Sequence, residues 1–145
     1  MKRSRIKKFQ KYLQEKNIQF FLLNRTDEFL GEYIAPYAER LNWLTSFSGS
    51  AGKLLISQES AKLFVDGRYT FQAHEQVNKK EITLEHLNNY WTELKKLKQY
   101  KGTIAIDSKL HSVHEINKIQ NIIKESDLKI FLLKKNPIDF FWKDQ

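Results

Sequence analysis

The first stretch of the chain with residue types suited to chemistry is the glycine-rich Gly49-Ser-Ala-Gly-Lys53. In nucleotide-binding proteins the backbone amides of such a loop, together with a following lysine, bind phosphate. That motif needs glycines five positions apart and a hydroxyl residue after the lysine, but this chain has Phe47 and Leu54 at those places. The spacing of a nucleophile elbow around Ser50 is also missing. We therefore expect a structural loop whose small residues pack tightly before a strand.

A second group of candidate residues combines His111 and His114 with Asp107 and Glu115. Imidazole and carboxylate together suit zinc or manganese. However, Ser112 and Glu115 have the spacing of a helix capping box, and His111 precedes that cap. We therefore expect ordinary solvated or capping histidines here, and no metal or other cofactor held by this chain.

The third group is Asp66, Arg68 and Tyr69, which follow an apolar run. The structural interpretation is a turn in which Asp66 accepts local amides and Gly67 adopts an otherwise strained backbone. The functional interpretation is a polar surface that meets a partner or a substrate.

Alternating helices and strands must position these groups. Apolar periodicity and turn residues predict four helices, at residues 4–16, 69–77, 90–100 and from 112 onward. The same patterns predict about six strands, at residues 18–23, 53–57, 61–66, 81–86, 103–107 and 128–133. The region 25–46 is predicted to be irregular or briefly helical, and the loop 58–60 joins a β-hairpin. The prediction is an α/β fold with a mixed sheet covered by helices on both faces.

The last predicted helix has the clearest pattern. Its apolar stripe is predicted to comprise Val113, Ile116, Ile119, Ile122 and Ile123.

Composition favours one domain with a single core. The chain has 145 residues and no cysteine, which excludes a disulfide framework and thiolate chemistry and suits a reducing cytoplasm. No signal peptide or membrane span is indicated.

The net charge of +8 invites a nucleic-acid interpretation, because lysines and arginines crowd two predicted helices. The members of these two basic clusters are Lys2, Arg3, Arg5, Lys7, Lys8 and Lys11, and Lys95, Lys96, Lys98 and Lys101. Apolar residues at helical spacing alternate with them, which predicts that the basic residues occupy solvated faces of amphipathic helices. We therefore expect no nucleic-acid partner.

Several motifs in order resemble the N-terminal domain of the Xaa-Pro aminopeptidases (aminopeptidase P), of the creatinase and prolidase superfamily. The motifs are residues 26–34, Trp43-Leu-Thr-Ser-Phe-Ser-Gly-Ser-Ala-Gly52, Leu63-Phe-Val-Asp-Gly-Arg-Tyr69, residues 106–112 and residues 136–142. Departures from the family pattern are Ser46, where family members more often have glycine, and Phe141 and Lys143. The resemblance implies an α/β domain related to the ribonuclease H-like motif.

The resemblance also implies what lies beyond the chain. In such enzymes a pita-bread domain supplies two Asp, one His and two Glu to a pair of divalent metals, manganese or zinc, and this sequence ends before that domain. Residues 1–135 are then the N-terminal domain, and 136–145 begin a linker to the catalytic domain. On that linker Phe140, Phe141 and Trp142 are expected to be exposed and to need a cover.

The resemblance implies a non-catalytic role for such a domain, in forming the oligomer and bordering the active-site mouth. The residues expected to face a partner surface or a substrate tail are Tyr33, Arg40, Trp43, Phe47, Arg68 and Tyr69. Implied partners are the protein's own catalytic domain, a second copy in a homodimer and a peptide substrate, in the cytoplasm and without a membrane. Two alternatives stay open: a stand-alone protein-binding module, and a basic nucleic-acid binder.

Overall fold

A six-stranded mixed sheet with helices on both faces forms the domain, as predicted. The computed structural model describes residues 4–145, so Lys2 and Arg3 of the predicted basic cluster lie outside the described residues. The strands are β1 (Phe20–Asn24), β2 (Lys53–Ser57), β3 (Ala61–Val65), β4 (Thr83–His86), β5 (Lys101–Asp107) and β6 (Asp127–Leu133). The helices are α1 (Arg5–Glu15), α2 (Arg40–Thr45), α3 (Thr70–Gln76), α4 (Tyr90–Lys96), α5 (Val113–Ile123) and α6 (Ile138–Phe141).

The strands lie in the order β4-β3-β2-β1-β5-β6. Only β2 runs against its neighbours, because the short loop 58–60 turns β2 directly into β3. The other adjacent pairs, β1 with β5, β3 with β4 and β5 with β6, are parallel. All five parallel strands therefore point their carboxyl ends to one edge of the sheet, which we call the carboxyl edge.

Side-chain alternation divides the core between the two faces of the sheet. On β1, Phe21 and Leu23 pack under α1, α2, α3 and α6, whereas Phe20 and Leu22 pack under α4 and α5. Both faces are covered, so every residue of β1 is buried.

Two details of α5 differ from the prediction. Val113 is 75% exposed and does not belong to the apolar stripe, because it begins the helix on the solvent side. The capping box forms only in one direction: the Ser112 hydroxyl accepts a hydrogen bond from the Glu115 amide at 3.0 Å, but the Glu115 carboxylate turns to the sheet. Helix α4 also ends earlier than predicted, at Lys96, and continues as a 3₁₀ turn over Leu97–Gln99.

The described lysines of the two basic clusters are solvated, as expected, although Lys98 lies in the 3₁₀ turn after α4 and Lys101 begins β5. All lysines of the two clusters that the structure describes are exposed: Lys7, Lys8, Lys11, Lys95, Lys96, Lys98 and Lys101. Across residues 4–145, the structure has no helix with the length and apolar character needed to span a bilayer.

Candidate functional site

The carboxyl edge gathers the polar residues that end the strands. Asn24 ends β1, Asp66 directly follows β3 and Asp107 ends β5, while Lys53 begins the antiparallel β2 at the same edge. In open α/β sheets, ligands and partners usually bind outside the carboxyl ends of the parallel strands. This edge is therefore the place to look for a functional surface.

The loop between β1 and α2, residues 25–39, is held in one conformation by Arg25. The Arg25 side chain is only 8% exposed and donates to Glu39 Oε1 at 2.6 Å and to the Ser50 carbonyl at 3.1 Å. It also donates to the Glu32 carbonyl. One buried guanidinium thus joins both ends of this loop to the glycine-rich loop before β2.

A tight turn fixes the tip of the same loop. Asp27 Oδ1 accepts hydrogen bonds from the amides of Phe29 and Gly31, each at 3.0 Å, and Thr26 Oγ1 donates to the Gly31 carbonyl at 3.0 Å. Leu30 has a left-handed backbone with φ of 57°. Asp side chains often stabilise turns by bonding the amides that follow them.

The fixed loop presents apolar side chains to solvent. Tyr33 is 91% exposed and Phe29 is 81% exposed. Leu30 and Tyr37 are partly exposed beside them, and the Tyr37 hydroxyl donates to Glu28 at 2.7 Å. Exposed aromatic side chains on a preorganised loop mark a surface for contact with another molecule. We call Phe29, Leu30, Tyr33 and Tyr37 the aromatic loop surface.

The glycine-rich loop is structural, and Phe47 lies in the core instead of facing a partner. Phe47 is fully buried, and Gly49 and Gly52 pack against its ring because neither carries a Cβ. Ser46 has φ of 70°, in the left-handed region that favours glycine. This backbone gives a physical reason for glycine at that position in the family that the sequence resembles.

The turn after β3 carries an exposed ion pair. Asp66 Oδ1 accepts from the Arg68 amide at 2.9 Å, and Asp66 Oδ2 accepts from the Arg68 guanidinium at 3.0 Å. The hydrogen bond from Arg68 lowers the pKa of Asp66 below its usual range. Arg68 remains 71% exposed, whereas the Tyr69 hydroxyl bonds Ser50 and ties the turn to the glycine-rich loop.

Arg40 and Trp43 lie on α2, where this helix meets the C-terminal segment. Arg40 forms a two-pronged ion pair with Asp139, at 2.8 and 3.2 Å. Burial disfavours the guanidinium charge, but the hydrogen bond and the charge of Asp139 outweigh burial and raise the pKa of Arg40. Trp43 stacks on Trp142 with ring centroids 6.0 Å apart.

The C-terminal segment therefore packs on the domain more closely than expected. Phe141 makes edge contacts with Phe9 and Tyr12 at 6.1 and 5.7 Å, and Trp142 covers Trp43. Among the three aromatic residues predicted to need a cover, only Phe140 is largely exposed, at 56%. Phe141 and Trp142 are already covered, because α6 turns the chain back onto α1 and α2.

A second polar cluster lies beneath the carboxyl edge, between β1, β2 and α5. Lys53 Nζ donates to Asn24 Oδ1 at 3.0 Å and to Glu115 Oε1 at 3.1 Å. His111 Nδ1 donates to the Asp107 carbonyl at 3.2 Å, which leaves Nε2 buried without a hydrogen bond and 3.8 Å from Glu115. Burial is the main cause that lowers the pKa of His111.

This cluster does not have the composition of a metal site. Lys53 occupies the side of Glu115 where a cation would bind, and the Asp107 carboxylate accepts instead from Asn136 at 3.1 Å. Over residues 4–145, no three or more His, Cys, Asp or Glu side chains come together in a way that could hold a metal ion. The cluster instead links α5 to the sheet.

Comparison with known proteins identifies the family. A family model described as the Creatinase/Prolidase N-terminal domain matches residues 5–133. The chain belongs to this family. The mixed α/β sheet is the architecture of this creatinase-type domain, as the sequence resemblance implied.

Related proteins cover nearly all of the creatinase-type domain but are much longer. A probable Xaa-Pro aminopeptidase P of Paracoccidioides brasiliensis (strain Pb03) is 28% identical over 146 residues, which cover 95% of this chain and 23% of that protein. The crystal structure of X-prolyl aminopeptidase from Caenorhabditis elegans, described as a cytosolic enzyme with a di-nuclear active site, aligns with a TM-score of 0.82 and 27% identity, over 88% of this chain and 22% of that chain. The chain thus spans about a quarter of the length of these relatives.

A second solved structure supports the fold alone. The N-terminal domain of the cytoplasmic peptidase PepQ from Mycobacterium tuberculosis H37Rv aligns with a TM-score of 0.64 and 20% identity, over 89% of this chain and 92% of that chain.

Sequence reasoning missed the residues that hold the aromatic loop surface in this creatinase-type domain. Arg25 and Asp27 were not singled out, and neither was Phe29. One sequence signal could have identified Arg25: it directly follows the buried strand β1, and polar residues in that position lie at the carboxyl edge of a parallel sheet. The partners of Arg25 are far along the chain and give no local pattern.

Proposed function

We propose that this chain is the non-catalytic N-terminal domain of a metal-dependent Xaa-Pro aminopeptidase, an enzyme that removes the N-terminal residue preceding proline. The observation that carries the proposal is the family match over residues 5–133, joined to relatives named Xaa-Pro aminopeptidase P that align with 95% of the chain. The partners of the domain are then its own catalytic domain, a second copy in a homodimer and the peptide substrate. Its compartment is the cytoplasm.

The reaction itself belongs to the catalytic domain in this proposal. A pair of divalent metals, manganese or zinc, would act there as Lewis acids on the carbonyl that precedes proline. The described residues of this chain do not fit such a pair, because no three or more of their histidine and carboxylate side chains come together in a way that could hold a metal ion. In this proposal the chain therefore contributes no catalytic group and acts by shaping access to the active site.

The aromatic loop surface is the part that would control access to the active site. A wall that admits a free peptide N-terminus and refuses internal peptide needs fixed shape more than reactive groups. Tyr33 combines 91% exposure with a loop that Arg25 and Asp27 hold in place. Arg68, exposed on the turn after β3 at the same edge, adds a guanidinium group that is paired with Asp66.

The access role is tested in the complete product of the native gene with the substitution Tyr33→Ala. We expect the ratio of kcat/KM for long and short Xaa-Pro peptides to change by about fivefold or more, because the residue sorts substrates by length. The matched control is Tyr100→Ala, since Tyr100 is 51% exposed and precedes β5 at the opposite edge of the sheet. Equal ratios in both variants and the unmodified enzyme would contradict the access role.

The exposed aromatic loop surface also suits a second candidate, a stand-alone protein-binding module. Large exposed aromatic side chains are typical anchors of protein interfaces. This candidate predicts that the complete gene product cleaves no Xaa-Pro peptide, whereas the aminopeptidase proposal predicts cleavage.

A further inference from the structure

The two outermost strands of the sheet, β4 and β6, differ in how well they are protected against pairing with a strand of another molecule. At one edge β4 has only four residues and carries Glu85 in its centre. At the other edge β6 has seven residues, with Phe131 58% exposed and Leu132 46% exposed. Natural proteins blunt their edges with short strands and charges, and a long apolar edge is a template for another strand. Strand β6 therefore has the features of a pairing surface.

We infer that β6 pairs in antiparallel fashion with β6 of a second copy of this chain, about a two-fold axis at Phe131, and joins the two sheets into one. This inference rests on the homodimer of the proposed function and names its surface. The test measures the mass of the 145-residue chain in solution and does not depend on peptidase activity. A failure of the β6 pairing can therefore be distinguished from a failure of the proposed function.

The charge pattern around β6 selects a second copy in the antiparallel direction. The start of the strand carries the acidic residues Glu125 and Asp127 next to the basic Lys124, and the basic residues Lys134 and Lys135 follow its end; all five are exposed. An antiparallel copy brings each acidic end beside a basic end, twice by symmetry. A parallel copy would bring like charges together, which is destabilising.

The register at Phe131 also matches the side chains across the pair. Phe131 lies opposite its own copy, Ile130 lies opposite Leu132, and Asp127 lies opposite Lys135. Aromatic, aliphatic and opposite-charge pairs across strands each stabilise a sheet, by about 0.2–1 kcal/mol relative to alanine pairs. Moving the axis by one residue, to Ile130, would lose the aromatic pair and put Lys129 opposite Phe131, while Glu125 would replace Asp127 opposite Lys135.

One residue of β6, Lys129, is a charge on the exposed strand and would be expected to oppose pairing. In the register at Phe131 it lies opposite Leu133, which is half-buried. The lysine stem can then lie on apolar surface while its ammonium group stays in water. Lys129 is therefore compatible with pairing in the register at Phe131.

Analytical ultracentrifugation of the 145-residue chain, up to millimolar concentration and at low and high salt, tests the inference. We expect a dimer of twice 17.3 kDa whose dissociation constant rises with salt. The substitution Phe131→Lys is expected to raise that constant by about tenfold or more. The matched control is Phe140→Lys, because Phe140 is 56% exposed but lies on α6.

A charge exchange tests the register. We expect Asp127→Lys to weaken the dimer by about tenfold at low salt, and the double variant with Lys135→Asp to restore the constant to within about threefold. The melting temperature of each variant shows that it is folded. A chain that stays monomeric at all concentrations overturns the inference, even if it binds a foreign β-strand. So does a dimer that the Phe131 and Phe140 variants weaken equally, or a charge exchange that fails to restore pairing.

Discussion

Replacing Arg25 with alanine tests whether the aromatic loop surface is held from within the fold. The change removes a buried ion pair with Glu39 and two hydrogen bonds to the carbonyls of Glu32 and Ser50. Breaking a fully buried pair costs about 3–5 kcal/mol, but Glu39 is 23% exposed and can partly rehydrate. We therefore expect a loss of about 2–4 kcal/mol in the free energy of unfolding.

Urea denaturation followed by tryptophan fluorescence measures this loss. A decrease of that size lowers the urea midpoint by about 1–2 M for a domain of this length. Chymotrypsin provides a second measurement, because it cuts after aromatic residues and Phe29 and Tyr33 are exposed on this loop. We expect faster cleavage there in the Arg25→Ala variant, as the loop opens locally.

The matched control is Arg68→Ala, which also removes an arginine paired with an aspartate. The Arg68 side chain is 71% exposed, so its pair with Asp66 is screened by water, and we expect the urea midpoint to stay close to that of the unmodified chain. If Arg25→Ala costs no more than Arg68→Ala, or leaves loop cleavage unchanged, then Arg25 does not fix the loop and the access surface is not preorganised.

Two further predictions concern the glycine-rich loop and the buried histidine. Gly49→Ala places a Cβ 2.9 Å from Cε1 of the Phe47 ring, and we expect it to lower the free energy of unfolding, measured by urea denaturation, by about 1–3 kcal/mol. The control is Gly67→Ala, whose added Cβ has its nearest atom 4.0 Å away and is expected to change that free energy by less than about 0.5 kcal/mol. Equal effects of the two substitutions would mean that the loop does not pack on Phe47. Burial lowers the pKa of His111 in the folded domain below its ordinary 6.5. As the pH falls, the imidazole of the unfolded chain is therefore protonated before that of the folded domain. The stability that the neutral ring contributes is present above pH 6.5 and is lost as the pH falls toward the lower pKa of the folded state. His111→Phe should therefore reduce the slope of stability against pH below 6.5, by up to about 1.4 kcal/mol per pH unit, and an unchanged slope would show that His111 does not stay neutral in the folded domain.

The parts of the fold set by local patterns were predictable from the sequence. The hairpin between β2 and β3 formed as expected, because two apolar runs flank a short polar loop. Helix α1 agrees with the 3.6-residue period of Ile6, Phe9 and Leu13, and Ser4, the first residue of the predicted helix, caps it by accepting from the Lys7 amide at 3.1 Å. All six strands were predicted, and four of them, β1, β2, β3 and β5, carry runs of buried residues.

The parts that depend on contacts distant in sequence were not predictable in the same way. Glu115 has the position of a capping residue, but its carboxylate bonds Asn24, which is 91 residues away. Phe47 has a sequence context of small loop residues and still lies in the core, because the loop folds over it. The short helices α2 and α6 have six and four residues, too few to show a period, and their pairing sets the positions of Arg40 and Trp43.

The most direct test of the central claim is the hydrolysis of an Xaa-Pro peptide by two purified proteins, measured with added manganese. One is the 145-residue chain and the other is the complete product of the native gene. The account predicts that the complete product releases the residue preceding proline and that the chain alone releases none. Release by the chain alone would contradict its non-catalytic role, and no release by the complete product would contradict its assignment to an aminopeptidase.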